Sequence, residues 1–188
     1  VERKNIQTII AMRKLNLGCG GNILDDWENH DADLDISKPL PHEDESIDFI
    51  FAEHVCEHLT TPDVVRFFMD AYRVLNVDGV IRIAVPSADK IMDKADEAYL
   101  AWFGQSGFGD GTRRSAVQSI LLNHGHLSAW NFPILKTCLY AAGFEEAYIT
   151  ECRVGESSHE ELRGIEGHGK VIGEHNNKIE TIVMEAVK

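Results

Sequence analysis

The sequence has no CxxC pair: its four cysteines, Cys19, Cys56, Cys138 and Cys152, are widely spaced. That spacing argues against a zinc knuckle or a disulfide scaffold and fits a reducing compartment, so a cytoplasmic location is expected. No apolar run approaches the roughly 18 residues of a membrane span, and nothing resembles a secretory leader. Basic residues are also scarce. The 18 Lys and Arg stand against 31 Asp and Glu, a formal charge of −13, and Arg113-Arg114 is the densest basic pair. Such a field repels a phosphate backbone, so no nucleic-acid partner is expected. A small molecule or a modest, neutral to cationic acceptor suits it better.

What is present describes one globular domain over residues 1–188. Of these residues, 44% are hydrophobic, enough for a genuine core. Val1–Lys14 reads as a leading helix. Lys14–Leu17 is a short buried strand that runs into Gly18-Cys19-Gly20-Gly21, a tight loop. Only nine residues separate Gly21 from Asp31. A full crossover helix does not fit there, so one or two helical turns are expected. Ala32–Ile36 offers a short strand, ended by Pro39 and Pro41.

Ser46–Phe51 opens a stronger strand. Thr61-Pro62-Asp63 then starts a helix whose apolar stripe is Val64, Val65, Phe68, Met69, Tyr72 and Leu75. Val80–Val85 is a β-branched strand closed by Pro86. Ile91–Phe103 has helical periodicity, and Gly104–Gly111 reads as a lid-like segment. Pro133–Ala142 is a helix capped by Gly143. Glu146–Val154 and Lys178–Val187 are the last strands, joined by the long polar stretch Gly155–Asn177. Alternating strands and helices predict a mostly parallel α/β sheet covered on both faces.

In such sheets ligands bind beyond the carboxyl ends of the strands. Gly18 and Gly20 let the backbone turn and approach a ligand closely. A dinucleotide fingerprint G-x-G-x-x-G needs a third glycine where this chain has Ile23, and a phosphate-binding Gly-Lys-Ser/Thr ending is absent. The short segment after the loop also removes the usual pyrophosphate platform. The loop suits a cofactor without a pyrophosphate.

Leu15-Asn16-Leu17-Gly18-Cys19-Gly20 resembles the first motif of class I S-adenosylmethionine-dependent methyltransferases of the type 11 kind. Further similar segments follow in register: Leu40-Pro41, Ser46-Ile47-Asp48-Phe49-Ile50, Glu53-His54-Val55-Cys56-Glu57-His58-Leu59 and Ala71–Gly79. Ile81–Pro86, Ala141-Ala142-Gly143-Phe144 and the closing Val183–Lys188 continue the likeness. Asn22–Asp31 and the His54 variant look like a compact bacterial subgroup linked to surface polysaccharide synthesis. The resemblance implies a Rossmann-like three-layer sandwich with a mostly parallel seven-stranded sheet and an antiparallel last strand. It implies S-adenosylmethionine as cofactor and methyl transfer to a small-molecule or saccharide acceptor. The different-class alternative is a non-catalytic cofactor-binding or partner-binding protein on the same fold.

Carried over residue by residue, the resemblance gives Gly18, Cys19 and Gly20 to the cofactor's amino-acid portion and Asp31 to the ribose, with Asp33 or Asp35 as competitors. Asp35, Ile36 and Ser37 flank the adenine. Asn16 stands where many relatives have an acid, a lack that either weakens cofactor binding or is offset by Glu53. Glu53 and His54 lie where methyl group and acceptor meet. Histidine is suited to proton removal near neutral pH, and His54 or His126 is the candidate base; ordinary hydrogen-bonded histidines fit the pattern equally. His54/His58 with Glu57, or His124/His126 with His159 or His168, are the candidate metal groupings; Glu57 and His58 lack the H-E-x-x-H arrangement because position 55 is Val, and no metal is expected. Tyr99, Trp102, Phe103 and Phe108 either wall an acceptor pocket or pin a loop. The charges of Gly155–Asn177 suit acceptor recognition or a subunit contact, so a homodimer is compatible with them.

Overall fold

The computed structural model describes residues 11–188. The leading helix read over Val1–Lys14 lies mostly outside these residues; its last residue already begins the first strand. Six strands form one sheet: β1 (Lys14–Leu17), β2 (Glu28–His30), β3 (Ile47–Glu53), β4 (Leu75–Pro86), β5 (Ile149–Cys152) and β6 (Thr181–Val187), in the order β2-β1-β3-β4-β6-β5. β2, β1, β3 and β4 pair in parallel, and β6 runs antiparallel between β4 and β5. The antiparallel last strand is therefore present, in a sheet of six described strands rather than the seven expected. The chain moves from β1 outward to β2, then returns across β1 to β3. That reversal puts a topological switch point at the carboxyl ends of β1 and β3.

The two faces of the sheet are covered differently. Ile50, Ala52, Ile81, Ile83, Val85, Ile182, Met184 and Ala186 face α1 (Thr61–Val74) and α5 (Phe132–Ala141) in the main core. Strand alternation sends Phe49, Val80, Arg82, Ala84, Val183, Glu185 and Val187 to the other face. That face is covered by the β5–β6 connection, through Val154, Leu162, Ile165 and the side chain of Glu166, with Trp27. A helix after β1 would ordinarily contribute here. Residues 18–27 form turns only, without the helical turns expected, and the long connection fills the space.

Local chemistry explains the element ends. Thr60 accepts from the Asp63 N–H and caps α1, so the helix begins at Thr61 and Pro62 lies one position further in than the first helical position expected for it. The stripe α1 buries is Val64, Phe67, Phe68, Ala71 and Val74; Phe67 joins it, while Met69 faces solvent. The helix read over Ile91–Phe103 is two, α2 (Ala88–Lys94) and α3 (Glu97–Gln105), because the Asp96 carboxylate caps Tyr99 N–H and starts a new helix. Gly104 and Gly111 meet closely, which closes the mostly exposed glycine-rich stretch between α3 and α4 (Arg113–Leu122) into a tight loop. α6 (Gly169–Ile172) and α7 (Glu174–Glu180) complete the β5–β6 connection. The strand expected over Ala32–Ile36 is a series of turns. Asp33 accepts from the Asp31 N–H and Asp35 from the Ser37 N–H, giving the backbone local partners in place of a ladder. All four cysteines are free thiols.

Candidate active site

β1 delivers its last residue into a loop whose shape is set by Gly18 (φ +66°) and Gly20 (φ +47°), left-handed conformations that glycine adopts without steric cost. A Cβ on Gly18 would lie 2.0 Å from a methyl of Val55, so the loop packs directly on the chain leaving β3. A Cβ on Gly20 would meet nothing within 4 Å, leaving open space for a ligand at that turn. Cys19 N–H donates to the His30 carbonyl, 3.0 Å away, and ties the loop to the end of β2. The Asn16 amide donates to the Asn22 carbonyl and to Asn29 Oδ1, both at 2.8 Å. Asn29 in turn donates to the Leu24 and Trp27 carbonyls. Asparagine stitching thus holds the turns that replace a helix. Both Asn16 donor hydrogens are spent within the protein, one on the loop and one on β2.

Three neighbouring cavities open around this loop. The first, about 250 Å³, is bounded by Asn16, Gly18, Cys19, Glu53, His168 and Lys170. The second, about 290 Å³, lies between Gly18, Asp31, Ile36, His54, Val55 and His58. The third is a chamber of about 480 Å³, walled by Trp102, Phe103 and Phe108 and by the polar groups of Glu57, His124, His126 and Glu180. It borders the first cavity at His168 and Val171, and the second at His54 and His58.

The acidic residues separate by what they already bind. Asp33 is held by His30, at 2.8 Å, and Asp35 by the Ser37 hydroxyl and N–H; both carboxyls are drawn below the ordinary range by these partners. Asp35 does not line the second cavity. Asp31 does, and its carboxylate makes no hydrogen bond within the chain's described residues. Glu53, at the end of β3, accepts from the Gly167 N–H (2.7 Å) and the His168 N–H (3.1 Å). Burial pushes the Glu53 carboxyl up, against the pull of these two donors.

The histidines also divide. His54 has φ +52° and stacks on His168 with ring centroids 3.8 Å apart. Its Nε2 is 3.0 Å from Thr181 Oγ1, whose own hydrogen goes to Asn177 Oδ1, so His54 is the donor. Its Nδ1 lies 3.2 Å from Glu57 Oε1. Burial disfavours its charge, but contact with Glu57 and the fields of Glu53 and Glu180 outweigh that and raise its pKa. Held this way, both His54 ring nitrogens already face partners within the protein. His126 is the opposite case. Its Nδ1 is 2.6 Å from the Ile120 carbonyl, which only accepts, so the proton sits on Nδ1 and Nε2 carries the lone pair. The structure brings Asn16, Gly18, Cys19, Glu53, Asp31, Ile36, His54 and His126 around adjoining cavities, while Gly20 lies on the loop between them.

Sequence reasoning did not place Gly167, His168 and Lys170 over the first cavity. Asn22 receives the Lys170 ammonium at 3.2 Å and donates to the Ile165 carbonyl at 2.8 Å, docking the connection onto the loop. The only sequence signal was the polar, glycine-spotted character of Gly155–Asn177. His159 packs edge-on to Phe49 on the covered sheet face, apart from the chamber.

A family model for a methyltransferase domain matches residues 25–83. No curated protein matches the chain. Among solved structures, an S-adenosylmethionine-dependent methyltransferase from Archaeoglobus fulgidus is 16% identical, with a TM-score of 0.52, covering 95% of this chain and 86% of that one. Another from Mesorhizobium loti is 14% identical with a TM-score of 0.52, covering 95% and 91%. The matched segment, from β2 into β4, is similar to a methyltransferase domain, and the whole chain shares the fold of these S-adenosylmethionine-dependent methyltransferases. Within the described residues no helix is long and apolar enough to cross a membrane.

Proposed function

We propose that the chain transfers a methyl group from S-adenosylmethionine to an oxygen or nitrogen of a small acceptor, with hydroxyl-bearing rings such as sugars the favoured class. The observation that carries this reading is the meeting of three cavities at Glu53, His54 and His168. Two of them flank the Gly18 loop and offer acidic groups, Asp31 and Glu53, suited to a cationic ligand with ribose hydroxyls. The third is aromatic-walled, of ordinary small-molecule size, and lined with histidines.

The residues present fit the cofactor. Asp31 has a free carboxylate for the ribose, Ile36 an apolar face for the base, and the Gly18–Gly20 turn an approachable backbone. Lys170 brings a cation to the first cavity for a carboxylate. When bound, S-adenosylmethionine supplies an electrophilic methyl on a sulfonium. The chain's part is positioning: His54 and His168 hold the boundary between cavities, and an acceptor in the chamber is kept in line. His126, with its free Nε2, is better placed than His54 to receive an acceptor proton.

Calorimetry with S-adenosylmethionine and S-adenosylhomocysteine tests the reading. Both are expected to bind, and detection of neither would end it. Turnover on candidate acceptors then distinguishes an enzyme from a binder. Replacing Asp31 with alanine is expected to weaken cofactor binding by more than about tenfold, the loss of a charge-assisted hydrogen bond. Asp33→Ala serves as the comparison, with little change in affinity expected because that carboxylate is already held by His30. A reversed order would move the ribose role to Asp33.

A further inference from the structure

Glu57 is 1% exposed, and neither of its carboxylate oxygens accepts a hydrogen bond among the described residues. The His54 Nδ1 at 3.2 Å supplies charge without hydrogen-bond alignment. A buried carboxylate with one unaligned imidazole beside it and no hydrogen-bond donor is stabilised by a further cation. Its carboxylate lines the histidine chamber, and one ligand atom each from Glu57, His58 and His126 lie within 4.8 Å of one another. We propose that Glu57, His58 and His126 form a site for a divalent transition-metal ion of the zinc class, facing the acceptor chamber.

Several independent features fit such a site. Two imidazoles and one carboxylate suit zinc and its neighbours, and three protein ligands leave a position open to the cavity. Modest side-chain rotations bring ligand atoms at this spacing to the usual ion distances of about 2.0–2.2 Å. His126 donates its Nδ1 hydrogen to the Ile120 carbonyl, the outer contact that fixes a ligating histidine with Nε2 unprotonated. The His58 and His126 rings meet edge to face at 5.0 Å, and no described residue hydrogen-bonds the His58 ring.

The backbones are also locked together. Leu127 N–H (2.7 Å) and Ser128 N–H (3.2 Å) both donate to the Glu57 carbonyl, and the Ser128 hydroxyl donates to the Cys56 carbonyl. The turn carrying Glu57 and His58 is therefore fixed against the loop carrying His126. His124 and Gly125, both left-handed, turn that loop inward.

The ion's role rests on the methyl-transfer reading: it would hold an acceptor oxygen and favour its deprotonated form, with His126 acting through the ion instead of as a free base. The existence of the site does not depend on that role. The purified chain, stripped with chelator, is titrated with Zn²⁺ by calorimetry and with Co²⁺ by visible absorption. One tightly bound ion per chain, with cobalt ligand-field bands, is expected. His58→Ala and His126→Ala should each weaken Zn²⁺ binding by at least tenfold, and the double variant should abolish it. Glu57→Gln should lose the thermal stabilisation given by Zn²⁺, read as the difference in melting temperature between its own stripped and loaded forms. S-adenosylhomocysteine binding is measured on the same variants. Its retention alongside lost metal binding separates this site from the cofactor cavities. No stoichiometric Zn²⁺ or Co²⁺ binding by the parent, or binding unchanged in the double histidine variant, overturns the proposal.

Discussion

Replacing Arg82 with methionine is expected to lower the free energy of unfolding by about 3–5 kcal/mol. Arg82 is fully buried in the middle of β4, on the sheet face covered by the β5–β6 connection. Its guanidinium pairs with Glu166 and Glu185, whose side chains are also buried, and it donates to the Glu156 (3.1 Å) and Arg153 (3.3 Å) carbonyls. Glu166 further accepts from the Gly155 N–H. Methionine fills much of the same volume but leaves two buried carboxylates without a cation. In a chain of this length that corresponds to a melting shift on the order of 10 °C, read by calorimetry or urea unfolding. Arg82→Lys keeps the charge without the fork and should fall between the two. Adding Glu166→Gln and Glu185→Gln to Arg82→Met should recover part of the loss, since the damage comes from the orphaned charges. A cost below about 1 kcal/mol for Arg82→Met would show that the network does not hold the connection. The same variant reaches the site: Glu166 adjoins Gly167 and His168, whose N–H groups cap Glu53. Their amide hydrogens should exchange faster in Arg82→Met.

The sequence made the parallel half of the fold legible because local signals agree there. Leu15–Gly20 gives a strand and a glycine turn. Thr61-Pro62-Asp63 gives a helix start, and Val80–Pro86 a buried strand. The Gly18 loop, Asp31 and Glu53 followed from the ends of those strands. The other half was less legible because its determinants are long-range. Arg82 reads as one polar residue in an apolar run, and its partners lie 84 and 103 positions away. Nothing local in Gly155–Asn177 says that it covers a sheet face or that Lys170 reaches Asn22. Asp31, Asp33 and Asp35 could not be ranked from spacing alone. Their local hydrogen bonds distinguish them, leaving Asp31 free. His54 and His126 were equal candidates in sequence, and tautomer and partners separate them in the fold.

Gly18→Ala is the second substitution expected to have a large effect, about 2–5 kcal/mol of stability. Two costs add. The left-handed φ of +66° disfavours any L side chain by about 1–2 kcal/mol. The new Cβ also lies 2.0 Å from Val55 Cγ2 and 3.2 Å from Val55 Cβ, an overlap worth about 1–3 kcal/mol in a packed interior. The two costs are separable because only the second involves Val55. Val55→Ala removes the methyl that clashes, so Gly18→Ala/Val55→Ala should be more stable than the sum of the single effects predicts, with a coupling of about 1–2 kcal/mol. What remains is the cost of the backbone conformation. Additive single effects would mean that the loop relieves the clash by moving away from Val55. Cofactor affinity tells those outcomes apart. If the loop keeps its place, the double variant should bind S-adenosylhomocysteine more tightly than Gly18→Ala does, because Val55 and Gly18 wall the same cavity. If the loop has moved, both variants lose affinity alike, and the packing of Gly18 on Val55 is what shapes the cofactor side of the site.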